Sequence, residues 1–357
     1  MTLSPATTFV DLLVIGGGPA GLSAALMFSR LRRPCIIYDS GLYRNANARI
    51  AHTIMGSEGA NPAVWRQTVR DQLVEFYGDT TKYKKGRIVS LRQIEVDGVN
   101  RGVFEAKDEE GGVVRARKVI LATGVKDHLP QIPGVAEQWG HRIIHCVYCH
   151  GTETAKKPVA FLYDKPNAAL NSMIVEKMLY FWPGLENDPR YVLTNGVDLD
   201  TEEGRKAAGL EKYYSVMVKK GFRFITSPIT SVKENKSTSS LEINFASHPT
   251  IAVDAMLVMP ERITPSEHAA SFLTEDLLKA PLGPMGSIPP PPPGQQGSGS
   301  FLVRMGDDPK TTVKGLFWAG NSGSPMANVT FSNAQGQVAA VTAADELGQE
   351  DLLDSQQ

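Results

Sequence analysis

The chain has 357 residues, of which 42% are hydrophobic, and its 37 basic and 38 acidic side chains leave a formal net charge of −1. This length predicts about two domains with cores of their own, and the composition excludes a disordered or collagen-like chain. The balanced charge gives no electrostatic reason to expect nucleic acid as a partner. Three cysteines are too few for a disulfide framework, so any disulfide is expected to serve chemistry.

The first nine residues are polar and lack the basic segment and cleavage site of a secretory signal. The sequence also has no run of 18 apolar residues, the length that a membrane-spanning helix needs. We therefore expect a cytoplasmic protein without a membrane partner.

The first predicted unit is a β-α-β motif of about thirty residues. Apolar residues run without a break from Val10 to Ile15, as in a strand buried on both faces of a parallel sheet. The segment 16–21, Gly-Gly-Gly-Pro-Ala-Gly, ends this strand, and the helix that follows is limited by Pro34. A second buried strand covers 35–38 and ends in Asp39.

The glycines between this strand and helix have the Gly-x-Gly-x-x-Gly spacing of a dinucleotide site. Gly16 permits a tight turn, Gly18 lets the backbone approach a pyrophosphate, and Gly21 allows the helix to pack closely on the strand. The phosphates would lie at the helix N-terminus. Asp39, 18 residues beyond Gly21, is placed to accept hydrogen bonds from a ribose. The motif leaves the identity of the dinucleotide open.

The rest of the chain continues to alternate strands and helices, with a second β-α-β pattern in its middle. A buried strand over 119–121 leads into Ala122, Thr123 and Gly124, and a turn-rich segment follows that could cross between domains. The remaining predicted elements are strands over 159–163, 190–194, 222–232, 241–245 and 251–259, helices over 167–181 and 333–347, and an extended proline-rich surface loop over 281–300.

Cys146 and Cys149 have the Cys-x-x-Cys spacing of a redox dithiol or of half a metal site. Zinc would need two more ligands, and the sequence has no second cysteine pair. The flanking His145 and His150 are too close in sequence to complete a tetrahedral site with both sulfurs. A redox pair is therefore favoured over a metal site or two inert cysteines, and Cys35, inside an apolar strand, is predicted to be a core residue.

The order of these motifs, together with Gly-Leu-Phe-Trp-Ala-Gly over 315–320, resembles the low-molecular-weight thioredoxin reductase family of flavoproteins over nearly the whole chain. The resemblance implies an α/β fold of two nested Rossmann-like, doubly wound domains, FAD as cofactor, and a homodimer. Residues 1–125 and 261–357 would form a discontinuous FAD-binding domain that includes the 281–300 loop. Residues 126–260 would form the central domain that carries the dithiol.

The same resemblance assigns the residues that contact FAD. Asn321 matches a position where the family usually has an aspartate, and the final helix would direct its positive N-terminal end toward the flavin. His52 precedes a turn at which the family chain wraps the flavin ring. The complete set of implied contacts is Gly16, Gly17, Gly18, Pro19, Ala20, Gly21, Asp39, Ser40, Arg44, His52, Ala122, Thr123, Gly124, Asn321, Asn328 and Val329.

The central domain departs from the reductase pattern at its nucleotide fingerprint. After the strand over 159–163 a reductase has a second glycine motif for NADPH, but here Asp164 to Leu170 contains no glycine. Pro166 also removes one amide donor that the phosphates would use. The segment 191–198 has no arginine to bind a 2′-phosphate. The central domain is therefore predicted to have kept its fold and lost its nucleotide.

A second departure lies at the dithiol, where the reductase pattern has an aspartate after the second cysteine and this chain has His150. A histidine exchanges protons near neutral pH without a large pKa shift. Together these features resemble the fungal dithiol oxidases of epipolythiodioxopiperazine biosynthesis, the gliotoxin-type group. The resemblance implies that substrate attacks Cys146 and that Cys149 lies next to the flavin. His145 and His150 would share the proton transfers, and Asn45 could orient one of them.

We therefore predict an FAD-dependent dithiol oxidase that forms a disulfide in a small-molecule dithiol and passes the electrons to O2, which gives H2O2. Two alternatives stay open: an NADPH-dependent disulfide reductase with a divergent nucleotide site, and a non-catalytic flavin redox sensor. The expected partners are the small dithiol, O2 and a second copy of the chain.

Overall fold

The computed structural model describes residues 7–96, 99–164, 171–172, 175–176, 179, 182–266, 269, 308–324 and 328–356. The loop predicted over 281–300 and most of the helix predicted over 167–181 lie outside these residues. The described residues form an α/β fold with two larger sheets and two smaller ones.

Strands and helices alternate through the first part of the chain, and a long helix ends the described part. The strands are β1 (Thr8–Ile15), β2 (Cys35–Asp39), β3 (Thr81–Lys85), β4 (Ile88–Val96), β5 (Val99–Asp108), β6 (Val113–Leu121), β7 (Val125–His128), β8 (Ile143–Ile144), β9 (Val159–Leu162), β10 (Arg190–Leu193), β11 (Arg223–Ile225), β12 (Ile229–Asn235), β13 (Ser240–Phe245), β14 (Ile251–Val253), β15 (Ala255–Leu257), β16 (Arg262–Pro265) and β17 (Leu316–Trp318). The helices are α1 (Pro19–Ser29), α2 (Pro62–Tyr77), α3 (Val135–Gln138), α4 (Val147–His150), α5 (Glu202–Ala207), α6 (Tyr214–Lys219) and α7 (Val329–Asp354). Short 3-10 helices cover Thr152–Thr154, Trp182–Leu185 and Gly320–Ser322.

The first sheet has the strand order β3-β2-β1-β6-β5-β4. Strand β1 lies parallel to β2 and β6, so that Leu13 stands beside Ile36 and Val119. Strand β17 pairs in parallel with the end of β6, so the C-terminal part of the chain completes this sheet. Helices α1 and α7 cross closely, because a Cβ on Gly336 of α7 would lie 2.1 Å from the Ala20 carbonyl oxygen. This contact packs the last helix against the first helix, beside the loops that follow β1 and β17.

The second sheet is parallel throughout, in the order β11-β10-β9-β15-β8. A three-stranded antiparallel sheet, β12-β13-β14, shares a buried apolar cluster with it. Strands β7 and β16 form an antiparallel pair with His128 opposite Arg262. Two sheets with parallel Rossmann-type strands confirm the predicted fold class, while the exact domain boundaries stay a prediction.

Several elements differ from their predicted bounds. The strand predicted over 222–232 is split into β11 and β12, because Pro228 has no amide hydrogen for a sheet ladder. The strand predicted over 251–259 divides at Asp254, and its halves enter different sheets. Helix α7 begins at Val329, four residues before the predicted start, because the Asn328 side chain caps it by accepting a hydrogen bond from the Phe331 amide at 2.9 Å.

Candidate active site

A cavity of about 450 Å³ joins the glycine-rich turn after β1 to the dithiol helix α4. It is lined by every residue that the sequence assigned to the site except Gly21 and Asp39. Segments more than 300 residues apart in sequence therefore meet around one space. The roles assigned to the individual residues stay predictions.

The glycines of the turn after β1 have two different functions. Gly16 has a φ of +119°, and a Cβ there would lie 2.2 Å from the Ala122 carbonyl oxygen. A Cβ on Gly21 would lie 1.8 Å from the carbonyl oxygen of Gly16. These two glycines are needed for packing. A Cβ on Gly18, by contrast, would meet nothing within 4 Å, and Gly18 lines the cavity.

Helix α1 begins at this turn without a side-chain cap. Gly18 is its N-cap, no side chain bonds to the first-turn amides, and no acidic residue lies in the first turn. The positive end of the helix therefore faces the cavity with no acidic side chain from its own first turn. This arrangement suits the pyrophosphate of a dinucleotide.

Asp39 lies behind the glycine turn and away from the cavity. Its carboxylate is buried and accepts hydrogen bonds from the Gly41 amide (2.8 Å) and from the hydroxyls of Tyr43 (2.5 Å) and Tyr83 (2.6 Å). A Cβ on Gly17 would lie 2.1 Å from this carboxylate. Burial, followed by the bond to Asp39, raises the pKa of Tyr43 to about 12. Asp39 therefore fixes the loop after β2, and its neighbour Ser40 reaches the cavity wall.

A buried arginine that no motif indicated supports the same loop. The Arg66 guanidinium lies 3.8 Å from the centre of the Tyr43 ring, and its Nη1 donates to Asn45 Oδ1 at 2.9 Å. Burial lowers the pKa of Arg66. Asn45 thus enters the cavity wall with its amide oxygen held by α2, and its predicted action on a histidine is untested.

Arg44, predicted as a cofactor contact, is held by an ion pair across the cavity wall. It donates from Nε and Nη2 to the two carboxylate oxygens of Asp127 on β7, at 2.8 Å each. Since 4% of the Asp127 side chain and 22% of the Arg44 side chain are exposed, the pair is largely shielded from water. The Asp127 carboxylate therefore opposes the effect of the Arg44 charge at the cavity wall.

Cys146 and Cys149 form a disulfide at the start of α4, which confirms that this pair is the chain's disulfide. Cys146 is the N-cap of the helix, and its sulfur accepts a hydrogen bond from the Cys149 amide at 3.2 Å. Cys35 is free and buried in the core, as predicted, and burial raises the pKa of its thiol. Among the described residues, the cysteine sulfurs at the cavity are therefore those of Cys146 and Cys149.

The two histidines beside the dithiol have different surroundings. The His145 ring stacks on Trp139, and burial, followed by the nearby Arg44 charge, lowers the pKa of His145 to about 4. Burial also lowers the pKa of His150, against an opposing effect of Glu153. Burial therefore favours the neutral form of both imidazoles.

His52 lies at the dithiol end of the cavity. Its Nδ1 is 2.6 Å from Glu58 Oε1, and its Nε2 is 2.8 Å from Glu153 Oε1. Its ring meets that of His150 edge-on, with 6.3 Å between centroids and 87° between planes. The sequence identified His52 but not the two glutamates, because neither belongs to a recognisable motif.

The last part of the chain closes the other end of the cavity. Asn321 donates from Nδ2 to the Ser324 carbonyl oxygen at 3.2 Å, and the Ser322 hydroxyl accepts from the Gly124 amide at 2.9 Å. Asn328 and Val329 place the N-terminus of α7 at the wall. Two helix N-termini, those of α1 and α7, therefore face one cavity, which favours an anionic ligand.

The described residues contain no group of three or more His, Cys, Asp or Glu side chains placed to hold a metal ion. Within the same parts of the chain, no helix combines the length and apolar character required to span a membrane.

Comparison with known proteins places this site in a family. A family model described as pyridine nucleotide-disulphide oxidoreductase matches residues 10–175. Thioredoxin reductase tcpT of Claviceps purpurea (strain 20.1) is 32% identical over 346 residues, which cover 96% of this chain and 95% of that protein. The chain belongs to the thioredoxin reductase family. It is therefore an oxidoreductase of a flavoprotein family, as the sequence predicted.

Further relatives agree with this placement in the thioredoxin reductase family. Thioredoxin reductase sirT of Leptosphaeria maculans is 41% identical over 143 residues, which cover 40% of this chain and 42% of that protein. The crystal structure of HlmI has a TM-score of 0.76 at 24% identity, over 98% of this chain and 97% of that one. A putative thioredoxin reductase TrxB from Bacillus anthracis has a TM-score of 0.74 at 21% identity, over 96% and 99%. The two structures support the fold alone.

Proposed function

We propose that this chain is an FAD-dependent dithiol oxidase, which forms a disulfide in a small-molecule dithiol and passes the electrons to O2, giving H2O2. One observation carries the proposal. The Cys146–Cys149 disulfide and the glycine-rich turn line the same cavity, and two neutral histidines flank the dithiol. A cavity of this kind suits a reaction that takes electrons and protons from thiols.

The residues around the cavity fit FAD as the cofactor. Space beside Gly18, where a Cβ would meet no atom within 4 Å, permits close approach of a pyrophosphate to the α1 N-terminus. The turn 16–20 and Ser40 would hold the adenosine diphosphate half, and Thr123, Asn321 and the α7 N-terminus would hold the flavin half. When bound, FAD supplies an acceptor for the electron pair of the dithiol and a route to oxygen.

The thiol chemistry uses the chain's own residues. A substrate thiol gives its proton to a neutral imidazole, and the thiolate attacks Sγ of Cys146, so that the S–S bond breaks and Cys149 leaves as a thiolate. The second substrate thiolate then attacks the substrate sulfur of the mixed disulfide. The product disulfide closes, and Cys146 leaves as a thiolate. The lowered pKa values favour the neutral form of both imidazoles, and a pKa of about 4 makes His145 a weak proton acceptor.

The cavity lining supports an uncharged substrate. Among the described residues that line it, no side chain is Asp, Glu or Lys, and Arg44 is already paired with Asp127. Leu42, Ile50 and Met259 contribute apolar surface. A compact, apolar dithiol of the epidithiodiketopiperazine type fits such a lining, because it has no charge that a protein group would need to neutralise.

The runner-up function is an NADPH-dependent reductase, and the turn after β10 argues against it. Thr194 Oγ1 donates to the Val197 carbonyl oxygen at 2.6 Å, and Asn195 Oδ1 accepts from the Ile229 amide at 2.8 Å. These side chains serve the fold, and the turn 194–197 has no basic residue for a 2′-phosphate. The sequence after β9 also lacks the glycines of a pyrophosphate site.

An anaerobic titration of the purified, flavin-loaded chain tests the proposal. We expect a small dithiol to bleach the flavin absorbance, NADPH to leave it unchanged, and air to restore it with release of H2O2. Cys146→Ser should abolish bleaching, whereas Cys35→Ala, which changes a buried cysteine outside the cavity, should not. Rapid bleaching by NADPH alone would identify a reductase, and a flavin that neither reagent reduces would identify a sensor.

Two parts of the proposal need separate measurements. Flavin released by heat and identified by chromatography must be FAD. The homodimer implied by the family resemblance is measured by analytical ultracentrifugation of the full chain, and a monomer at micromolar concentration would contradict it.

A further inference from the structure

We propose that Arg66 is a positioning residue of the site: it holds the amide oxygen of Asn45, so that the Asn45 amino group donates a hydrogen bond to a carbonyl oxygen of the substrate. The proposal rests on the proposed function, because it names a group that the small dithiol carries beside its two thiols. This role of Asn45 differs from the action on a histidine that the family resemblance implies.

The bond between Arg66 and Asn45 decides which end of the amide faces the cavity. Arg66 Nη1 donates to Asn45 Oδ1 at 2.9 Å. A guanidinium has only donors, so the atom that faces it must be the oxygen of the amide. Asn45 lines the cavity, and in the described part of the chain its Nδ2 has no hydrogen-bond partner and is not one of the buried unpaired atoms. The arrangement therefore leaves an accessible donor at the cavity wall.

Arg66 is itself held in place behind the wall. It is 4% exposed, and its guanidinium lies 3.8 Å from the centre of the Tyr43 ring. The Tyr43 hydroxyl donates to Asp39 at 2.5 Å, and Arg70 Nη1 lies 3.7 Å from the same carboxylate oxygen. Because burial and the ring fix the guanidinium, the amide of Asn45 is fixed as well.

Asn45 lies on a loop that packs toward the dithiol. The Ala48 amide donates to the Asn45 carbonyl oxygen at 3.2 Å, and a Cβ on Gly140 would lie 3.3 Å from the same amide nitrogen. Gly140 follows Trp139, whose indole stacks on the His145 ring. The loop therefore contacts the segment that leads to the dithiol, where a substrate thiol must bind.

An uncharged oxygen is the acceptor that suits this donor. Among the described residues that line the cavity, no side chain is Asp, Glu or Lys, and Arg44 is paired with Asp127. A neutral amide can bind a carbonyl without leaving a charge unpaired. An analogue without the acceptor would leave the Asn45 donor unpaired, so the site selects against it. A dithiol built on amide carbonyls therefore fits the wall.

A probe without thiols tests the carbonyl contact apart from any redox step. The flavin-loaded, full-length chain is titrated with the cyclic dipeptide of glycine and phenylalanine, and calorimetry gives the dissociation constant. Asn45→Asp should weaken binding about tenfold, because it keeps the bond to Arg66 and replaces the donor by an oxygen. Arg66→Met should weaken it about threefold, because the amide can then turn either atom to the cavity. Failure of the oxidase proposal leaves this test intact.

Two further variants separate positioning from a general structural role. Arg66→Lys should stay within about twofold of the parent chain, because an ammonium also has only donors. Arg70→Met is the matched control on α2, since it removes a cation near Asp39 and leaves the bond between Arg66 and Asn45; it should bind as the parent does. If Arg66→Met does not fold, Asn45→Asp decides.

Three results of the binding test would overturn the proposal. They are a parent chain that does not bind the cyclic dipeptide at millimolar concentration, equal binding by the parent and Asn45→Asp, and equal losses in Arg66→Lys and Arg66→Met.

Two dithiols extend the test to the reaction. Anaerobic bleaching by N,N′-dimethyl-N,N′-bis(mercaptoacetyl)hydrazine, which has amide carbonyls, should need about tenfold more reagent in Asn45→Asp. Bleaching by butanedithiol, which has no acceptor oxygen, should be unchanged. Equal losses with both dithiols would place Asn45 in the thiol chemistry and overturn the carbonyl contact. A flavin that neither dithiol bleaches would refute the oxidase, while the binding test still decides the contact.

Discussion

The indole of Trp139 lies almost parallel to the imidazole of His145, with 5.1 Å between ring centroids and 17° between ring planes. This stack covers one face of a histidine whose pKa is about 4 because of burial and the nearby Arg44 charge. Two aromatic rings thus form part of the wall beside the dithiol.

We expect Trp139→Leu to raise the pKa of His145 by about one to two units, because water would reach the imidazole and reduce the cost of its charged form. NMR titration of the histidine ring measures the shift. Trp65→Leu is the control, since Trp65 lies on α2 and does not line the cavity. An unchanged pKa of His145 in Trp139→Leu would show that the stack does not shield this ring.

The same histidine should make the protein's stability depend on pH. Its pKa falls from about 6.5 in the unfolded chain to about 4 in the folded one, so the unfolded state binds more protons between these values. The contribution is complete above pH 6.5 and is lost as pH falls toward 4, by up to about 3 kcal/mol. Urea unfolding between pH 5 and 7 should show a shallower pH slope for His145→Gln. Equal slopes would contradict the expectation.

Gly18 and Gly16 should respond differently to the same added methyl group. Gly18→Ala should fold with nearly unchanged stability, because its φ of −76° suits any residue and its Cβ would meet no protein atom. It should lose flavin, because that Cβ occupies the place of the pyrophosphate. Gly16→Ala should unfold at lower urea, since its φ is +119° and its Cβ would clash with Ala122. Flavin absorbance per protein and urea midpoints separate the two effects, and full flavin content in Gly18→Ala would contradict them.

Replacing Lys118 should lower the protein's stability more than replacing Lys310, the second lysine that lies near Glu346. It is 2% exposed, with its ammonium 2.6 Å from Glu350 and 3.2 Å from Glu346. Lys118→Met should lower the free energy of unfolding by about 3 kcal/mol, because the largely shielded carboxylates of Glu346 and Glu350 lose their nearest cation. Lys310→Met is the matched control, because Lys310 is 42% exposed and 3.9 Å from Glu346, where a pair contributes less than about 1 kcal/mol. Equal losses of stability in urea would rule out burial as the cause.

Much of the fold and the residues around the cavity could be predicted, because they follow from short sequence patterns. The continuous apolar run of β1, the glycine turn and the Cys-x-x-Cys spacing each act over a few residues, and all three are present as predicted. Helix α2 and strands β3 to β5 were not predicted, since their half-exposed residues show weaker periodicity. Asp39 ends β2 as predicted, and its carboxylate accepts hydrogen bonds from two tyrosine hydroxyls that no motif indicated, while its contact with a ribose stays a prediction.

The amino-acid sequence by itself indicated the family, the Rossmann-type parallel strands and the dithiol, because these depend on residue types at short, fixed spacings. The tertiary structure alone decided which polar and charged side chains meet at the site. Arg44 with Asp127, Arg66 with Asn45, and His52 with Glu153 join residues 21 to 101 positions apart. No periodicity connects such positions, since side chains so far apart meet only after the sheets and helices have packed.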